Sequence, residues 1–410
     1  MLAAAKRLLS PLWPFAACAL LVLVAPLPAA ERWVGTWATA PLPEAPGADT
    51  PALAGATFRQ VIHVSLGGSK VRLRLSNAFG ASALTLHGVH LALAAPDGAL
   101  QPGTDRTLTF SGRPTVTIPA GASFVSDPLD FPLAPQADVA ISIHFAQLPE
   151  KLTAHPGART RSYLQPGDAL AAAALPEAKT STRWYFLSGL DVLTDAPRAA
   201  ALVLLGDSIT DGYGTTTDRN NRWPDEFVRR LQARADAPAL GVLNLGIGGN
   251  RLLRDGLGPN ALARFDRDVL AQSGARWLLV FAGINDLGTR LDARQKGGDF
   301  ASAEDIVAAF QQLVARAHSR GLRVIGATLT PYEGAGFYFT PDGEADRQKI
   351  NDWIRHSGSF DAVADFDAAL RDPQNPSRLA PEFDSGDHLH PSLAGYARLA
   401  AALDPSLFTP

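Results

Sequence analysis

Apolar and polar positions follow two rhythms along the chain, and the change comes near residue 199. From about 31 to 194 the apolar residues fall in short runs between turn residues. The runs 58–64 and 70–76 are joined through Gly67 and Gly68, which predicts a hairpin. Val71, Leu73 and Leu75 alternate with Arg72 and Arg74, so this run is expected as a half-buried strand with the arginines on its wet face. Further runs lie at 84–93, 106–110, 115–118 and 139–145, where Val139, Ile141 and Ile143 alternate with their neighbours. No helical period interrupts them, and the turn spacing predicts an antiparallel, jelly-roll-like β-sandwich over 31–195. Residues 148–182, rich in Ala, Pro and Gly, read as a long crossing or loop, and 183–187 as a returning strand.

From Ala199 onward, strand-length apolar runs alternate with amphipathic stretches. Strands are expected at 201–205, 241–245, 277–281, 322–329 and 362–366. Helices are expected over 224–235, 261–272, from Ser302 to before Gly321, over 344–356 and after Pro391. Pro224 suits a first helical position, and Ser302 followed by Asp305 is a capping-box variant. Five strands alternating with helices predict an α/β unit over 196–410, a parallel sheet covered on both faces through right-handed crossovers.

The first thirty residues differ from both halves. Lys6 and Arg7 precede an almost uncharged stretch ending in Ala29 and Ala30, which reads as a secretory signal peptide over 1–30. Pro11, Pro14 and Pro26 argue against a spanning helix, so no stable membrane anchor is expected after cleavage, and the mature protein is expected to be secreted or periplasmic. Losing Lys6 and Arg7 takes the net charge from −3 to −5. Cys18, the one cysteine, leaves with that segment, so neither disulfides nor thiol chemistry are expected. The charge balance and the absence of a basic stripe point away from a nucleic-acid partner.

Candidate chemistry gathers at the predicted strand ends of the second half. The run 202–205 stops at Gly206-Asp207-Ser208, which places a serine hydroxyl where open α/β sheets bind ligands, although a serine there could simply cap the next segment. Three later stretches lie at or just beyond a predicted strand end: 244–251 with Gly246, Gly248 and Gly249, 281–286 with Asn285, and 384–391 with Asp384, Asp387, His388 and His390. A serine needs a base within hydrogen-bond reach, and His390 can be that base with Asp387 fixing its tautomer. An oxyanion needs preorganised donors, for which the amides of Ser208 and Gly249 and the side chain of Asn285 are suited. The acids and histidines of 384–391 could also hold a metal, but that would leave Ser208 without a task, and no metal is expected. The glycine spacing is not that of a dinucleotide site, so no cofactor is expected either. His63, His87, His90, His144, His155 and His318 have no matching context and read as structural or surface residues.

Taken in order, Gly206-Asp207-Ser208, Asn244 with Gly249, Gly283-x-Asn285-Asp286 and Asp387-x-x-His390-Pro391 resemble the four blocks of the SGNH hydrolases, the GDSL esterases and lipases. Ile209 stands where the family name has leucine. The resemblance covers about 199–403 and implies a flavodoxin-like three-layer α/β/α domain. It implies a nucleophile Ser208, base His390 with partner Asp387, and oxyanion donors Ser208, Gly249 and Asn285. The strand-rich half, from Trp33-Val34-Gly35-Thr36-Trp37, looks like the amino-terminal region of some secreted bacterial members.

A secreted esterase with an added sandwich suggests a short-chain acyl, chiefly acetyl, ester on a carbohydrate, with an acylated polysaccharide as partner. Two other readings stay open: a lipase-, lysophospholipase- or thioesterase-like acylhydrolase of longer chains, and a catalytically silent glycan-binding protein. The loop 331–339 carries Tyr332, Phe337, Tyr338 and Phe339, which could form a sugar platform, an acyl pocket or part of the core.

Overall fold

The computed structural model describes residues 32–408, apart from 46, 48 and 49. The expected signal peptide, with Cys18, lies outside the described residues. Among those described, no helix is long and apolar enough to cross a membrane.

The second half is built on five parallel strands in the spatial order Leu240–Gly246, Ala200–Gly206, Ala275–Phe281, Arg323–Ala327, Ala362–Ala364. This is the flavodoxin-like order, in which the chain starts near the middle and reverses direction across the sheet. Every residue of Ala200–Gly206 is buried, as a strand covered on both faces must be. Trp223–Gln232 and Leu393–Ala402 contribute to the core with Leu202 and Leu204, whereas Ala303–His318 belongs to the core with Val203 and Leu205. Ser302 caps its helix through a capping box with Asp305. Three bounds move. Pro224 is the second helical residue rather than the first, the last strand stops at Ala364 because Asp365 caps a helix at Phe366–Leu370, and 261–272 is not one helix. The α-helix Ala261–Phe265 instead runs into a wider π turn over Asp266–Leu270.

The first half is an antiparallel β-rich region of three sheets. One carries Arg32–Ala38, Leu187–Thr194 and Gly68–Ser76, and another is centred on Ala56–His63, Asp138–Gln147 and Leu84–Leu93. Val71, Leu73 and Leu75 are fully buried, as their alternation requires, and they share an apolar cluster with Phe58, Ile62 and Ile141 of the second sheet. The stretch 148–182 corrects the loop expectation, because it contains the strands Leu152–His155, Ser162–Pro166 and Lys179–Ser181. Its small residues hid the alternation that reveals a strand.

The arginines of 68–76 correct another expectation. Arg72 and Arg74 do not face open water. Arg72 donates to the fully buried Asp191 at 2.9 Å and to Ser273 at 3.0 Å, and Arg74 donates to Gln272 at 2.5 Å. That sheet face is laid against the 271–273 turn of the parallel unit, where the Gly35 amide also donates to the Ser273 carbonyl at 2.9 Å. A polar alternation reads the same whether the polar face meets water or a second polar surface. The two halves also share one continuous apolar cluster, with Val34 and Leu243 among its members.

Candidate active site

The strand Ala200–Gly206 hands the chain to a single helical turn, Ser208–Asp211, capped by Asp207, whose carboxylate accepts from the Ile209 amide. The Ser208 hydroxyl oxygen lies 2.8 Å from His390 Nε2. The other ring nitrogen, Nδ1, lies 2.7 Å from Asp387 Oδ2, while Asp387 Oδ1 accepts from the amides of His390 and Leu389. Serine and histidine are both buried, so this contact is made with little water around it.

The environment sorts the two titratable groups. Burial works to raise the Asp387 carboxyl, but the two amides and the His390 ring outweigh it and hold it at about 2. Burial lowers His390 below its ordinary value, and the Asp387 carboxylate opposes that without cancelling it. An ionised acid thus accepts from Nδ1–H and leaves Nε2 as the acceptor facing the serine hydroxyl.

Asn285 sits in the short helix Ile284–Gly288, at the end of the next strand over. Its amide nitrogen donates to the Asn250 carbonyl at 2.9 Å, and its carbonyl oxygen accepts from the Tyr338 hydroxyl at 2.9 Å. Both ends of the amide are therefore fixed, and its second N–H is left to point elsewhere. Gly249 adopts φ +67°, a turn conformation that favours glycine, and its amide forms no hydrogen bond among the described residues. Asp286, behind Asn285, accepts from the Leu252 and Leu253 amides, and burial pushes it up to about 6. Burial also pushes Asp207 up to about 7, and the nearby Asp286 adds to that rise.

The aromatic loop divides. Tyr332 is fully buried with Ile284 and Leu389, and Phe339 packs its ring on Tyr332 at 5.4 Å, so the structure does not bring these two to the crevice. Tyr338 holds Asn285, and Phe337, 60% exposed, stands beside it. The acids and histidines of 384–391 form separate pairs: Asp387 with His390, and Asp384 with His388 at 2.5 Å.

One residue with no sequence signal holds the strand ends together. Arg264 is fully buried in the crossover after Leu240–Gly246. It donates to the carbonyls of Gly206 at 3.0 Å and Leu245 at 2.7 Å, the ends of two neighbouring strands. The same guanidinium donates to Asn250 Oδ1 at 2.9 Å and to Asp268 at 3.0 Å. His155 was missed as well. It lies in the β-rich half yet contacts Asp211, at the end of the Ser208 turn.

Residues 204–398 match the model of the GDSL-like lipase/acylhydrolase family. No curated protein is similar enough to match the chain. Among solved structures the chain is similar to a putative lipolytic protein of the G-D-S-L family from Desulfitobacterium hafniense, at 23% identity over 50% of this chain and 97% of that one, with a TM-score of 0.38. It is also similar to a catalytic mutant of Axe2, an acetylxylan esterase from Geobacillus stearothermophilus, at 22% identity over 50% and 91%, TM-score 0.38. A third is the lipase/acylhydrolase from Enterococcus faecalis, at 22% over 50% and 92%, TM-score 0.39.

Arg264→Met strands the buried Asp268 carboxylate with Arg267 alone, removes the guanidinium from the Leu245 carbonyl and leaves the Gly206 carbonyl with the Ile247 amide only. The expected loss is about 3–5 kcal/mol of unfolding free energy, read from urea melts; an unchanged midpoint would refute this role. With the four segments on one edge and the family match over that same span, residues 204–398 are a domain of the GDSL-like lipase/acylhydrolase family, and the protein is an ester hydrolase.

Proposed function

We propose that the protein is a secreted serine esterase that cleaves short-chain acyl esters of carbohydrates through Ser208, His390 and Asp387. The observation that carries this reading is the unbroken contact from Ser208 Oγ to His390 Nε2 at 2.8 Å and from His390 Nδ1 to Asp387 Oδ2 at 2.7 Å.

The reaction follows from that geometry. Ser208 Oγ attacks the ester carbonyl as His390 Nε2 takes its proton. The imidazolium is stabilised by the Asp387 carboxylate, which remains ionised because its amide and ring contacts hold it at about 2. The carbonyl oxygen becomes an oxyanion, and the donors available to it are the amides of Ser208 and Gly249 and the free N–H of Asn285. Tyr338 is a positioning residue here, since its hydroxyl keeps the Asn285 carbonyl oxygen turned away from the oxyanion. His390 then gives its proton to the departing alcohol, and the acyl group stays on Ser208. Water, deprotonated by the same imidazole, releases the acid and restores the serine.

The carbohydrate reading is supported by the exposed Phe337 ring at the Asn285 side, a flat surface on which a sugar can stack. Secretion is supported by the composition of residues 1–30. One observation favours the longer-chain alternative: Leu257, 73% exposed, lies against Gly249 and offers apolar surface beside a proposed oxyanion donor.

Ser208→Ala is expected to lower kcat on nitrophenyl acetate by at least about 10⁴-fold with an unchanged melting temperature; undiminished turnover would overturn the mechanism. On a panel of acyl lengths, kcat/KM should fall steeply beyond acetyl, and a rise toward long chains would replace the substrate assignment. The pH profile carries a sign. Catalysis needs neutral His390, and burial lowers its pKa, so the acid limb of kcat/KM should have its midpoint below the 6.5 of ordinary imidazole. A midpoint at or above that value would contradict it.

A further inference from the structure

Residues 155–161 belong to the β-rich half, between the strands Leu152–His155 and Ser162–Pro166, yet they meet the Ser208 turn. The segment is pinned along its length. His155 Nδ1 lies 2.9 Å from the Ala40 carbonyl, and Nε2 lies 2.9 Å from Asp211 Oδ1. Gly157 packs so closely on Asp211 that a Cβ there would stand 2.1 Å from Oδ2. The Ala158 carbonyl accepts from Arg222, and the Arg159 carbonyl accepts from the Asp218 amide at 3.0 Å. Asp218 in turn accepts from the Arg161 amide at 2.6 Å and its guanidinium at 2.5 Å. Arg159 holds φ +51°, a left-handed conformation that a side chain adopts only where its surroundings impose it.

The Arg159 side chain is the opposite of its backbone. It forms no hydrogen bond among the described residues, and its Nε is buried without an acceptor. Its nearest carboxylate oxygen is Asp211 Oδ2 at 3.8 Å, on a side chain already bonded to His155. The guanidinium lies over the Tyr213 ring, 5.6 Å from its centroid, and the Tyr213 ring lies 4.2 Å from that of His390. One aromatic ring therefore separates the imidazole from a planar fork of donors that no acceptor has engaged within hydrogen-bond distance. The other local charges are engaged: Asp387 on His390, and Arg222 on the Asp211 and Ala158 carbonyls and Asp225.

We propose that Arg159 is an anion subsite that binds a carboxylate on the alcohol part of the substrate, so that the preferred substrates are acyl esters of acidic alcohols such as uronates. This rests on the serine-esterase reading, because His390 protonates the departing alcohol and Arg159 lies just beyond the Tyr213 ring that packs on that imidazole. A carboxylate matches the guanidinium fork with two parallel hydrogen bonds and supplies the acceptors that the site lacks. The β-rich half thereby contributes a specificity-determining residue in addition to its packing.

The test compares two acetyl esters that differ in one group: an acetylated methyl galacturonoside and the methyl galactoside acetylated at the same hydroxyl. At low ionic strength the wild-type kcat/KM should favour the uronate by about tenfold to a hundredfold. Added salt should shrink that preference, Arg159→Gln should bring the ratio near one, and Arg159→Lys should keep part of it. Equal wild-type rates on both esters would overturn the subsite without any variant, and so would a ratio that survives in a folded Arg159→Gln. Ser208→Ala separates the two ideas. Wild-type hydrolysis of both esters by that variant defeats the serine mechanism, whereas an inactive Ser208→Ala with a wild-type ratio of one defeats Arg159 alone.

Discussion

A single buried cation holds the edge on which everything else stands. Where parallel strands end the ladder of hydrogen bonds thins out, and a buried carbonyl there needs a donor. Near the ends of Ala200–Gly206 and Leu240–Gly246 Arg264 supplies donors to the Leu245 carbonyl, to the Gly206 carbonyl beside the Ile247 amide, and to the side chain of Asn250. Burying a guanidinium is unfavourable unless its donors are satisfied, and here Asp268 balances the charge while carbonyl and amide oxygens take further donors. The turns after both strands are thereby fixed relative to each other. One carries Ser208, and the other carries Gly249 and the Asn250 carbonyl that receives Asn285.

From that edge the chemistry is a matter of environment. Asp387 and His390 lie three residues apart on a turn in which backbone amides fall on the carboxylate and burial falls on the ring. The same physics acts in reverse on Asp207 and Asp286, whose burial is only partly answered by amides, and both rise. Three acids near one strand edge are therefore held apart, Asp387 low and Asp207 and Asp286 high. Asp387, the one held low, is in contact with the His390 imidazole.

The parallel half was legible because fully buried strands read as unbroken apolar runs, and because glycine and polar residues mark where each run stops. Those stops bring Ser208, Gly249 and Asn285 to one edge without knowledge of any contact, whereas His390 lies well beyond the last strand, past the helix Phe366–Leu370, and its place beside Ser208 is a matter of the turn that carries it. What stayed hidden depends on where a long side chain ends. Arg264 looks like a polar position on an amphipathic helix, and His155 and Arg159 sit in an Ala-, Pro- and Gly-rich stretch that resembles a loop. The Arg72 and Arg74 alternation gave the strand and its buried face, but it could not distinguish water from the Asp191 and Ser273 surface that covers the other face. Of the four aromatics at 331–339, composition could not tell the buried Tyr332 from the exposed Phe337.

The central claim is that one serine, activated by the imidazole of His390, carries the acyl group. Reaction with a fluorophosphonate, followed by peptide mass spectrometry, tests it most directly. The account predicts stoichiometric modification of Ser208, with a rate that falls as His390 protonates and with hydrolysis lost in proportion. Modification at another residue, or full hydrolytic activity in protein whose Ser208 is blocked, would contradict it.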